Sequence, residues 1–509
     1  MKKLLSVLLV LSLFATGMTA AVFADDAAPA DTPAAQDHLV TTSHSAVIQG
    51  ERINYTATTG TMVVESGGEQ CEIFSVAYTR DDVDDLSERP ITFVFNGGPG
   101  SADGYTHLLC MGPRTIELGE DGHAASLPAR LTDNNDSLLD LTDLVFIDAV
   151  GTGYSRPLSG DDSNFIGCTN DARTFGDFIR LYLTRNGRWG SPKYVAGESY
   201  GTTRAIALND YLAGTYDLGL NGIILISSIN DFSLYGFEVG NDLPYISFLP
   251  TMAADAWYHG CVGEQYQELE LEAYLDEVRA FAAGDYLSAL FLGQRMSAEE
   301  EAAIAEKMAA FIGLDKDYIL NKHLRVTLDD FCNELLKDQN LMVGRYDGRY
   351  TGPVIGGSLD DSVSDPSGFD IDLPLYTALN QYILEDLGFQ TDVPYIPLSH
   401  DVNERWDWEA VNSFLAQEDV VHDNMSSNSF LKVWVCCGYY DGATPFYGAE
   451  WFFNHLFLDE ARQDNLSFSY FPAGHMFYLD QASHDQFRRD AEAWYSAGSA
   501  AEAEMKEAA

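Results

Sequence analysis

A serine flanked by glycines lies in a stretch typical of a sharp strand-to-helix turn. The stretch is Gly197-Glu198-Ser199-Tyr200-Gly201; residues 192–196 before it favour a short buried strand, and residues 202–208 favour the start of a helix. Such a turn projects the serine hydroxyl above the edge of a sheet, and the glycines permit the close backbone approach that it requires. The strand and helix around the motif favour Ser199 as a nucleophile over a structural turn.

A nucleophilic serine in such a turn needs a histidine as general base and an acid to orient that histidine. In chain order these residues run serine, acid, histidine. Of the eleven histidines, three follow Lys432. His475 is the best placed, because it occupies a loop just after the strand-like residues 466–470. His455 falls in a predicted helix, where a packed or a surface histidine is expected. His484 lies in a polar stretch, which predicts a surface position.

The acid is expected after the strand that precedes the histidine's own strand. Residues 431–438 predict that strand, and Asp441 follows it in Tyr439-Tyr440-Asp441-Gly442. An Asp-Gly pair usually marks a turn, but the chain order and the strand-end position favour Asp441 as the acid. Ser199 would then attack a carbonyl, His475 would take the serine proton, and Asp441 would hold the imidazole tautomer.

A glycine-rich segment follows an early predicted strand. Residues 91–95 predict the strand, and Asn96-Gly97-Gly98-Pro99-Gly100-Ser101 follows it. A loop in this position can aim a backbone N–H at an oxyanion, and the N–H of Tyr200 would be the second donor. A phosphate-binding loop is not favoured, because no Gly-Lys-Ser/Thr follows and Pro99 lacks an N–H.

Five segments together carry a family resemblance. They are Asn96-Gly97-Gly98-Pro99-Gly100-Ser101, Asp148-Ala149-Val150-Gly151-Thr152-Gly153-Tyr154-Ser155, Gly197-Glu198-Ser199-Tyr200-Gly201, Gly438-Tyr439-Tyr440-Asp441 and Gly474-His475-Met476. In this order, over roughly residues 90 to 480, they resemble the secreted serine carboxypeptidase family. The resemblance implies an α/β-hydrolase core and removal of single residues from peptide C-termini, usually best at acidic pH. It also implies Ser199, Asp441 and His475 as the triad, with the Gly98 and Tyr200 amides as the oxyanion hole.

The resemblance further implies that Asn96 and Glu198 bind the C-terminal carboxylate of the substrate. A carboxyl group beside the nucleophile repels an anionic substrate terminus when ionised and can donate a hydrogen bond to it when protonated. Burial would raise the pKa of Glu198 and favour the neutral form. The alternative is a Glu198 side chain that only packs or caps a neighbour.

The sequence departs from the family pattern after the glycine-rich loop. Many members have a second glutamate just before a Leu-Gly-Pro, whereas this chain has Cys110 in Leu108-Leu109-Cys110-Met111-Gly112-Pro113. The missing carboxyl bears on C-terminal specificity and on the acidic optimum, but not on hydrolase chemistry. The elbow continues to Arg204, which is either a positive charge near the site or a surface helix residue.

The ends of the chain predict export. In residues 1–24, Lys2-Lys3, the apolar residues 4–14 and Val22-Phe23-Ala24 have the pattern of a secretory signal peptide. Residues 25–43 predict a disordered linker, and residues 499–509 an Ala/Glu-rich flexible tail. After the signal no run reaches the about 18 apolar residues that a membrane span requires. We therefore expect an exported protein without a membrane span.

Charge and cysteine content limit the partners. The chain has 29 Lys and Arg against 78 Asp and Glu, a formal net charge of −49, which argues against nucleic acids as partners. The seven cysteines cannot all pair internally. The adjacent Cys436 and Cys437 are expected to be small buried strand residues. No spacing of Cys and His suggests zinc, and the predicted chemistry needs no metal or organic cofactor.

The hydrophobic patterns predict an α/β fold. Residues 44–80 alternate as antiparallel strands, residues 91–228 alternate strands with helices, and residues 232–420 are helical and acidic. We predict an α/β-hydrolase with a mostly parallel central sheet flanked by helices and an inserted helical cap. The core would comprise residues 44–231 and 421–498, and the cap residues 232–420.

Two cap segments leave alternatives open. Residues 243–250 are apolar and aromatic, and either line a substrate pocket or form ordinary cap core. The arginines of the polar loop 344–350 either pair with acidic neighbours or meet the substrate carboxylate.

These patterns predict a secreted serine carboxypeptidase that acts on peptides through an acyl-enzyme. An esterase or acyltransferase on the same triad is the alternative, because a fold does not fix the substrate. A non-catalytic binding protein on the same fold is a third hypothesis. The sequence leaves the oligomeric state open.

Overall fold

The predicted parallel strands form the centre of one large sheet in the computed structural model. The structure describes residues 35–119, 122–354, 365–368 and 371–508, with side chains described as far as residue 497. The predicted signal peptide (residues 1–24) and linker residues 25–34 lie outside the described residues.

The chain contains the following strands. They are β1 His38–Ile48, β2 Glu51–Ser66, β3 Glu69–Arg80, β4 Ile91–Phe95, β5 Arg114–Ile116, β6 Leu131–Asp133, β7 Asp143–Ile147, β8 Arg156–Pro157, β9 Lys193–Glu198, β10 Gly222–Ile226, β11 Leu341–Val343, β12 Thr351–Pro353, β13 Lys432–Gly438 and β14 Leu466–Phe471.

The helices follow the strands along the chain or lie in the region predicted as the cap. They are α1 Cys168–Arg185, α2 Tyr200–Tyr216, α3 Leu243–Tyr258, α4 Glu264–Gln267, α5 Leu271–Phe281, α6 Leu287–Leu292, α7 Ala298–Ile312, α8 Lys316–Asn321, α9 Leu328–Glu334, α10 Asp372–Gln381, α11 His400–Glu404, α12 Glu418–Ser427, α13 Phe446–Asn454, α14 Glu460–Gln463 and α15 Gln481–Ala508. Single helical turns occur at Thr106–Met111, Phe232–Leu234, Ala282–Tyr286, Gly293–Arg295, Lys337–Gln339, Tyr382–Asp386 and Phe477–Leu479.

The sheet order is β1-β2-β3-β7-β4-β9-β10-β13-β14, and β8 pairs with β3. From β7 to β14 neighbouring strands are parallel, whereas β1, β2, β3 and β7 pair antiparallel. Strands β4, β7 and β10 are buried along their whole length, as expected for strands covered on both faces. The predicted α/β-hydrolase fold is confirmed, and its parallel part brings the carboxyl ends of the central strands to one edge.

Each face of the sheet packs on its own apolar core. Side chains alternate along a strand, so Ile223 and Leu225 of β10 join one core while Ile224 and Ile226 join the other. Helices α1 and α2 contribute to the first core and α15 to the second. All seven cysteines are free thiols, and Cys436 and Cys437 are buried.

Both predicted flexible segments at the ends need correction. Strand β1 begins at His38, inside the predicted linker 25–43, because residues 38–43 pair antiparallel with residues 56–61 of β2. Helix α15 continues to Ala508 through the predicted tail. Alanine and glutamate are strong helix formers, so this composition favours continuation of the helix over a flexible end.

The region predicted as the cap is largely helical, from α3 to α12. Helix α3 contains the apolar residues 243–250, of which Ile246, Phe248 and Leu249 are buried. It packs against α5, α7 and α13, so these three side chains form interior packing. The described residues from Asp37 onward form one compact unit, and the cap boundaries at 232 and 420 stay a prediction. Among the described helices, none is long and apolar enough to cross a membrane.

Candidate active site

Ser199 occupies the turn between β9 and α2 in a conformation that few residues adopt. Its φ is 58° and its ψ is −127°, a region that costs a non-glycine residue on the order of 1–3 kcal/mol. Gly197 makes the turn possible, since a Cβ at this position would lie 2.1 Å from the carbonyl oxygen of Gly201. The sequence therefore folds here into the tight elbow predicted from its glycines.

Asp441 and His475 meet at the carboxyl ends of β13 and β14. Asp441 Oδ2 lies 2.8 Å from His475 Nδ1, and both residues are buried, at 0% and 3% exposure. The backbone N–H groups of Ala443 and Thr444 donate to Asp441 Oδ1 at 2.8 Å, and Thr444 Oγ1 donates to Oδ2 at 2.5 Å. The carboxylate is thereby fixed, and Nε2 is left as the histidine nitrogen available for proton transfer.

Strand β10 anchors both the serine elbow and the histidine loop. The Ser199 N–H donates to the carbonyl of Ile226 at 2.9 Å, and Ser227 Oγ donates to the carbonyl of His475 at 2.7 Å. Among the described residues, the Ser199 hydroxyl forms no hydrogen bond with His475. Asp441 and His475 are thus joined directly, and Ser199 lies with His475 at the carboxyl end of β10.

The pKa of His475 is set by opposing effects. Burial alone would lower it, but the charge of Asp441 and its hydrogen bond, together with the charge of Glu198, raise the pKa above its usual value. A histidine with a raised pKa is a stronger base, provided that the pH is high enough for the neutral form.

The glycine-rich loop after β4 lies directly against the elbow. A Cβ on Gly97 would come within 2.5 Å of the Tyr200 nitrogen and 2.6 Å of the Glu198 carbonyl oxygen. Gly98, the next residue, has a φ of 103°, which side chains rarely tolerate. The two amides predicted as oxyanion donors, those of Gly98 and Tyr200, therefore belong to backbone segments in close contact.

Glu198 is a buried carboxyl group that directly precedes Ser199 in the chain. It is 4% exposed, and Tyr478 Oη donates to its Oε2 at 2.5 Å. Burial raises the pKa of Glu198 to about 7, and repulsion by Asp441 adds to the increase, while His475 and the Tyr478 hydrogen bond oppose it. The side chain can therefore change protonation near neutral pH.

Asn96 holds the start of the helical turn at 106–111. Its Oδ1 accepts the backbone N–H groups of Tyr105 at 3.1 Å and Thr106 at 3.3 Å. With the oxygen engaged in this way, the amide nitrogen is the part of Asn96 that can donate to a carboxylate.

Cys110 lies in the same helical turn and supplies no charge. Burial, with the charges of Glu198 and Asp103, raises the pKa of its thiol well above the usual range. Its carbonyl oxygen accepts a hydrogen bond from Asn134 Nδ2 at 2.9 Å and lies 3.0 Å from His484 Nε2. His484 is buried, which corrects the predicted surface position, because that backbone carbonyl gives the imidazole a partner in the interior.

Three contributors to the site were missed in the sequence. Tyr478 follows His475 by three residues, and Thr444 follows Asp441 by three; this spacing is the only signal that could have suggested them. Asp103 is a buried carboxyl whose pKa is raised well above its usual range by burial and by repulsion from Asp148 and Glu198. Nothing in the local sequence indicates that Asp103 lies within electrostatic reach of Glu198.

The loop 344–350 supports the histidine loop from the cap region. The carbonyl of Tyr346 accepts the N–H of His475 at 2.6 Å, and Asp347 Oδ2 accepts the N–H of Gly474 at 3.0 Å. Arg349 pairs with Asp347 at 2.7 Å. Of the two alternatives left open for this loop, Arg349 follows the first and pairs with an acidic neighbour.

Arg204 is not a surface residue. It is 1% exposed, and its Nε lies 2.6 Å from Asp171 Oδ2. The predicted surface alternative fails, because Asp171 and the surrounding aromatic rings give the guanidinium a buried place. Within the part of the chain that the structure describes, no group of three or more His, Cys, Asp or Glu side chains is arranged to hold a metal ion.

Comparison with known proteins agrees with this architecture. A model of the serine carboxypeptidase family matches residues 54–287. The solved structure of Kex1(delta)p, a prohormone-processing carboxypeptidase from Saccharomyces cerevisiae, is similar over 87% of this chain and 91% of its own, with a TM-score of 0.56 and 16% identity. At that identity the similarity supports the fold.

Other solved structures are more distant. A proline iminopeptidase from Mycobacterium smegmatis aligns over 87% of this chain and 99% of its own, with a TM-score of 0.35 and 15% identity. A carboxyl esterase from Bacillus coagulans aligns over the same shares, with a TM-score of 0.37 and 11% identity. Neither adds to the argument, and a comparison with curated protein sequences gave no match. Over residues 54–287 the chain is therefore similar to the serine carboxypeptidase family, and it shares its fold with a solved carboxypeptidase structure.

Proposed function

We propose that this enzyme releases C-terminal residues from peptides through a covalent intermediate on Ser199. The observation that carries the proposal is the buried pair of Asp441 and His475, joined at 2.8 Å at the sheet edge where the Ser199 elbow ends. His475 acts as general base through Nε2, because Nδ1 is engaged by Asp441. Ser199 Oγ attacks the last peptide carbonyl and gives its proton to His475.

The tetrahedral intermediate needs hydrogen-bond donors for its oxyanion. The backbone N–H groups of Gly98 and Tyr200 take this role, because the loop and the elbow are in close contact. Collapse of the intermediate leaves the acyl group on Ser199, and His475 donates its proton to the departing amine. Water then repeats the sequence with His475 as base and frees the shortened peptide.

Asn96 and Glu198 recognise the terminal carboxylate of the substrate. Glu198 directly precedes the nucleophile, and its pKa of about 7 allows a neutral form that donates a hydrogen bond to an anion. The amide nitrogen of Asn96 supplies a second donor. Carboxylate recognition therefore rests here on Glu198 without the second glutamate, whose position Cys110 occupies.

The test compares an N-blocked dipeptide that has a free C-terminal carboxylate with its C-terminal amide, at pH 6. We expect the wild type to hydrolyse the free acid and to cut the amide at least tenfold more slowly, and Ser199→Ala to cut neither. Equal cleavage of the two peptides would remove the carboxypeptidase specificity. Turnover of a simple ester without either peptide would favour the esterase alternative.

We also propose export through the segment 1–24. The test is the mass of the mature protein recovered from the medium of the expressing cells. Cleavage after Ala24 is expected, and an uncleaved chain retained inside the cells would contradict export.

A further inference from the structure

Arg204 and Asp171 form a buried ion pair behind the proposed oxyanion hole. Arg204 lies in the second turn of α2, and Asp171 lies in the first turn of α1. Their Nε and Oδ2 atoms are 2.6 Å apart, and their side chains are 1% and 3% exposed. A pair buried to this degree is costly to desolvate and is weak evidence of stabilisation in itself, so its position invites a functional explanation.

The same guanidinium reaches the glycine-rich loop. Arg204 Nη1 donates to the carbonyl of Asn96 at 2.5 Å. Its guanidinium carbon lies 4.5 Å from the ring centroid of Phe175, 5.3 Å from that of Phe95 and 5.4 Å from that of Tyr200. Arg204 thus connects α1, α2 and the loop after β4, and it does so with hydrogen bonds and with ring contacts.

These contacts fix the two segments that supply the oxyanion donors. The carbonyl of Asn96 begins the peptide unit that leads to Gly97, and Gly97 lies so close to the elbow that a Cβ on it would come within 2.5 Å of the Tyr200 nitrogen. Gly98 follows immediately. Holding the Asn96 carbonyl therefore sets where the Gly98 amide stands relative to the Tyr200 amide, and an oxyanion hole depends on this spacing.

We propose that Arg204 is a positioning residue that sets the geometry of the oxyanion hole by tying the Asn96 carbonyl to the elbow helix. This inference rests on the proposed function, since it concerns the donors of the proposed reaction. Arg204 contacts no reacting atom. Its planar fork bonds Asp171 and Asn96 at once, and a lysine cannot reproduce this because its ammonium group is a compact point charge.

A second buried pair provides the matched control. Arg188 Nη1 lies 2.5 Å from Asp143 Oδ2, with side chains 3% and 1% exposed. Asp143 also accepts from Arg89 Nε at 3.1 Å, so it keeps a buried partner when Arg188 is changed. Asp143 is the first residue of the parallel strand β7, whereas Ser199 follows the last residue of β9. The Arg188–Asp143 pair therefore lies at the amino ends of the parallel strands, and Ser199 lies at their carboxyl ends. A purely structural role predicts that changes to the two pairs have the same consequences.

The experiment measures kcat and KM for the N-blocked dipeptide, the inhibition constant of a peptidyl boronic acid and the Tm, for the wild type, Arg204→Lys and Arg188→Lys. A boronic acid forms a tetrahedral adduct with the serine and reports on the oxyanion hole. For Arg204→Lys we expect kcat to fall roughly 10- to 100-fold, somewhat less than the loss of a whole oxyanion donor. KM should change by less than about threefold, and boronic acid binding should weaken in parallel with kcat/KM.

For Arg188→Lys we expect a lowered Tm with kcat and boronic acid binding close to wild type. If Arg204→Lys does not fold, the double variant Arg204→Met/Asp171→Leu removes both charges and leaves no unpaired buried ion; the same loss of kcat is expected. A folded Arg204 variant that keeps kcat within threefold, or an equal loss in Arg188→Lys, would overturn the inference. A wild type that is inactive on the dipeptide would instead overturn the proposed function.

Discussion

At the scale of single residues, Glu198 and His475 place opposite demands on the pH. His475 must be neutral to act as base, and its pKa is raised above the usual value mainly by the Asp441 charge against the effect of burial. Glu198 must be protonated to donate to a carboxylate, and burial raises its pKa to about 7. The proposed reaction therefore requires a pH high enough for His475 to lose its proton and low enough for Glu198 to keep one.

We predict a bell-shaped dependence of kcat/KM on pH for the free-acid dipeptide. The alkaline limb should lie near pH 7, since donation by Glu198 is lost as the pH rises through its pKa. Glu198→Gln should flatten that limb, because an amide donates at every pH. The acidic limb should remain but move to lower pH, because the Glu198 charge that helps to raise the pKa of His475 is absent. Rates measured from pH 4 to 9 for both proteins check this.

Tyr478→Phe is the matched variant for the pH profile. The Tyr478 hydroxyl lowers the pKa of Glu198 through its hydrogen bond, so its removal should move the alkaline limb upward in pH while the bell shape remains. An alkaline limb that is unchanged in Glu198→Gln would assign the titration to another group and contradict carboxylate recognition through Glu198.

At the scale of elements, the strand-to-helix elbow depends on a glycine without a side chain. A Cβ on Gly197 would lie 2.1 Å from the Gly201 carbonyl oxygen and 2.4 Å from its carbon, and both are backbone atoms that cannot move aside. We predict that Gly197→Ala lowers the free energy of unfolding by roughly 3 kcal/mol or more, at the upper end of the cost of overpacking. Urea denaturation followed by circular dichroism measures the change.

Gly214→Ala is the control, in helix α2, which follows the elbow. A Cβ at Gly214 would meet nothing within 4 Å, so alanine should stabilise the helix by about 0.5–1 kcal/mol. Equal stability of the Gly197 and Gly214 variants would mean that the elbow is less tightly packed than the structure has it.

The strands that carry the site were predictable because they are short, apolar and bounded by turns. Residues 91–95, 223–226 and 431–438 correspond to β4, β10 and β13. Burial on both faces makes these segments largely apolar, with Thr92 and Lys432 as the polar exceptions. The order of Ser199, Asp441 and His475 then placed all three at strand ends. The local sequence pattern was sufficient to predict these three strands.

The features that the sequence did not predict depend on contacts between residues that are distant in sequence. His484 and Arg204 are residue types that usually lie at the surface. The Cys110 carbonyl explains the burial of His484, and Asp171 explains that of Arg204. Strand β1 starts in a segment that looks like linker, since its pairing with β2 is what orders it. The loop after β4 brings Asp103 within electrostatic reach of Glu198, and no local sequence pattern predicts the course of that loop.

At the scale of the whole molecule, the charge balance is far from neutral. Acidic residues outnumber basic residues 78 to 29, and buried pairs such as Arg188 with Asp143 engage only part of the positive charge. Exposed like charges repel one another and are screened by salt, whereas buried pairs are screened much less. Repulsion between exposed acidic residues is therefore the larger salt-dependent contribution to the stability of the folded protein.

We predict that the Tm at pH 8 rises by several degrees between 0.02 and 0.5 M NaCl. Tetramethylammonium chloride is the control, because it screens charge without the specific binding of a small metal cation. A similar rise in both salts would indicate screening. A Tm that falls as salt is added would mean that exposed ion pairs outweigh the repulsion.

In the proposed triad, His475 is oriented by Asp441 and activates Ser199. The most direct measurement is intact and peptide mass after treatment with a peptidyl phosphonate, for wild type, Ser199→Ala and His475→Ala. We predict one adduct per wild-type chain, on the peptide that contains Ser199. The adduct should be absent from Ser199→Ala and form at least a hundredfold more slowly in His475→Ala. A folded wild type that takes no adduct, or an adduct that persists in Ser199→Ala, would contradict the proposed triad.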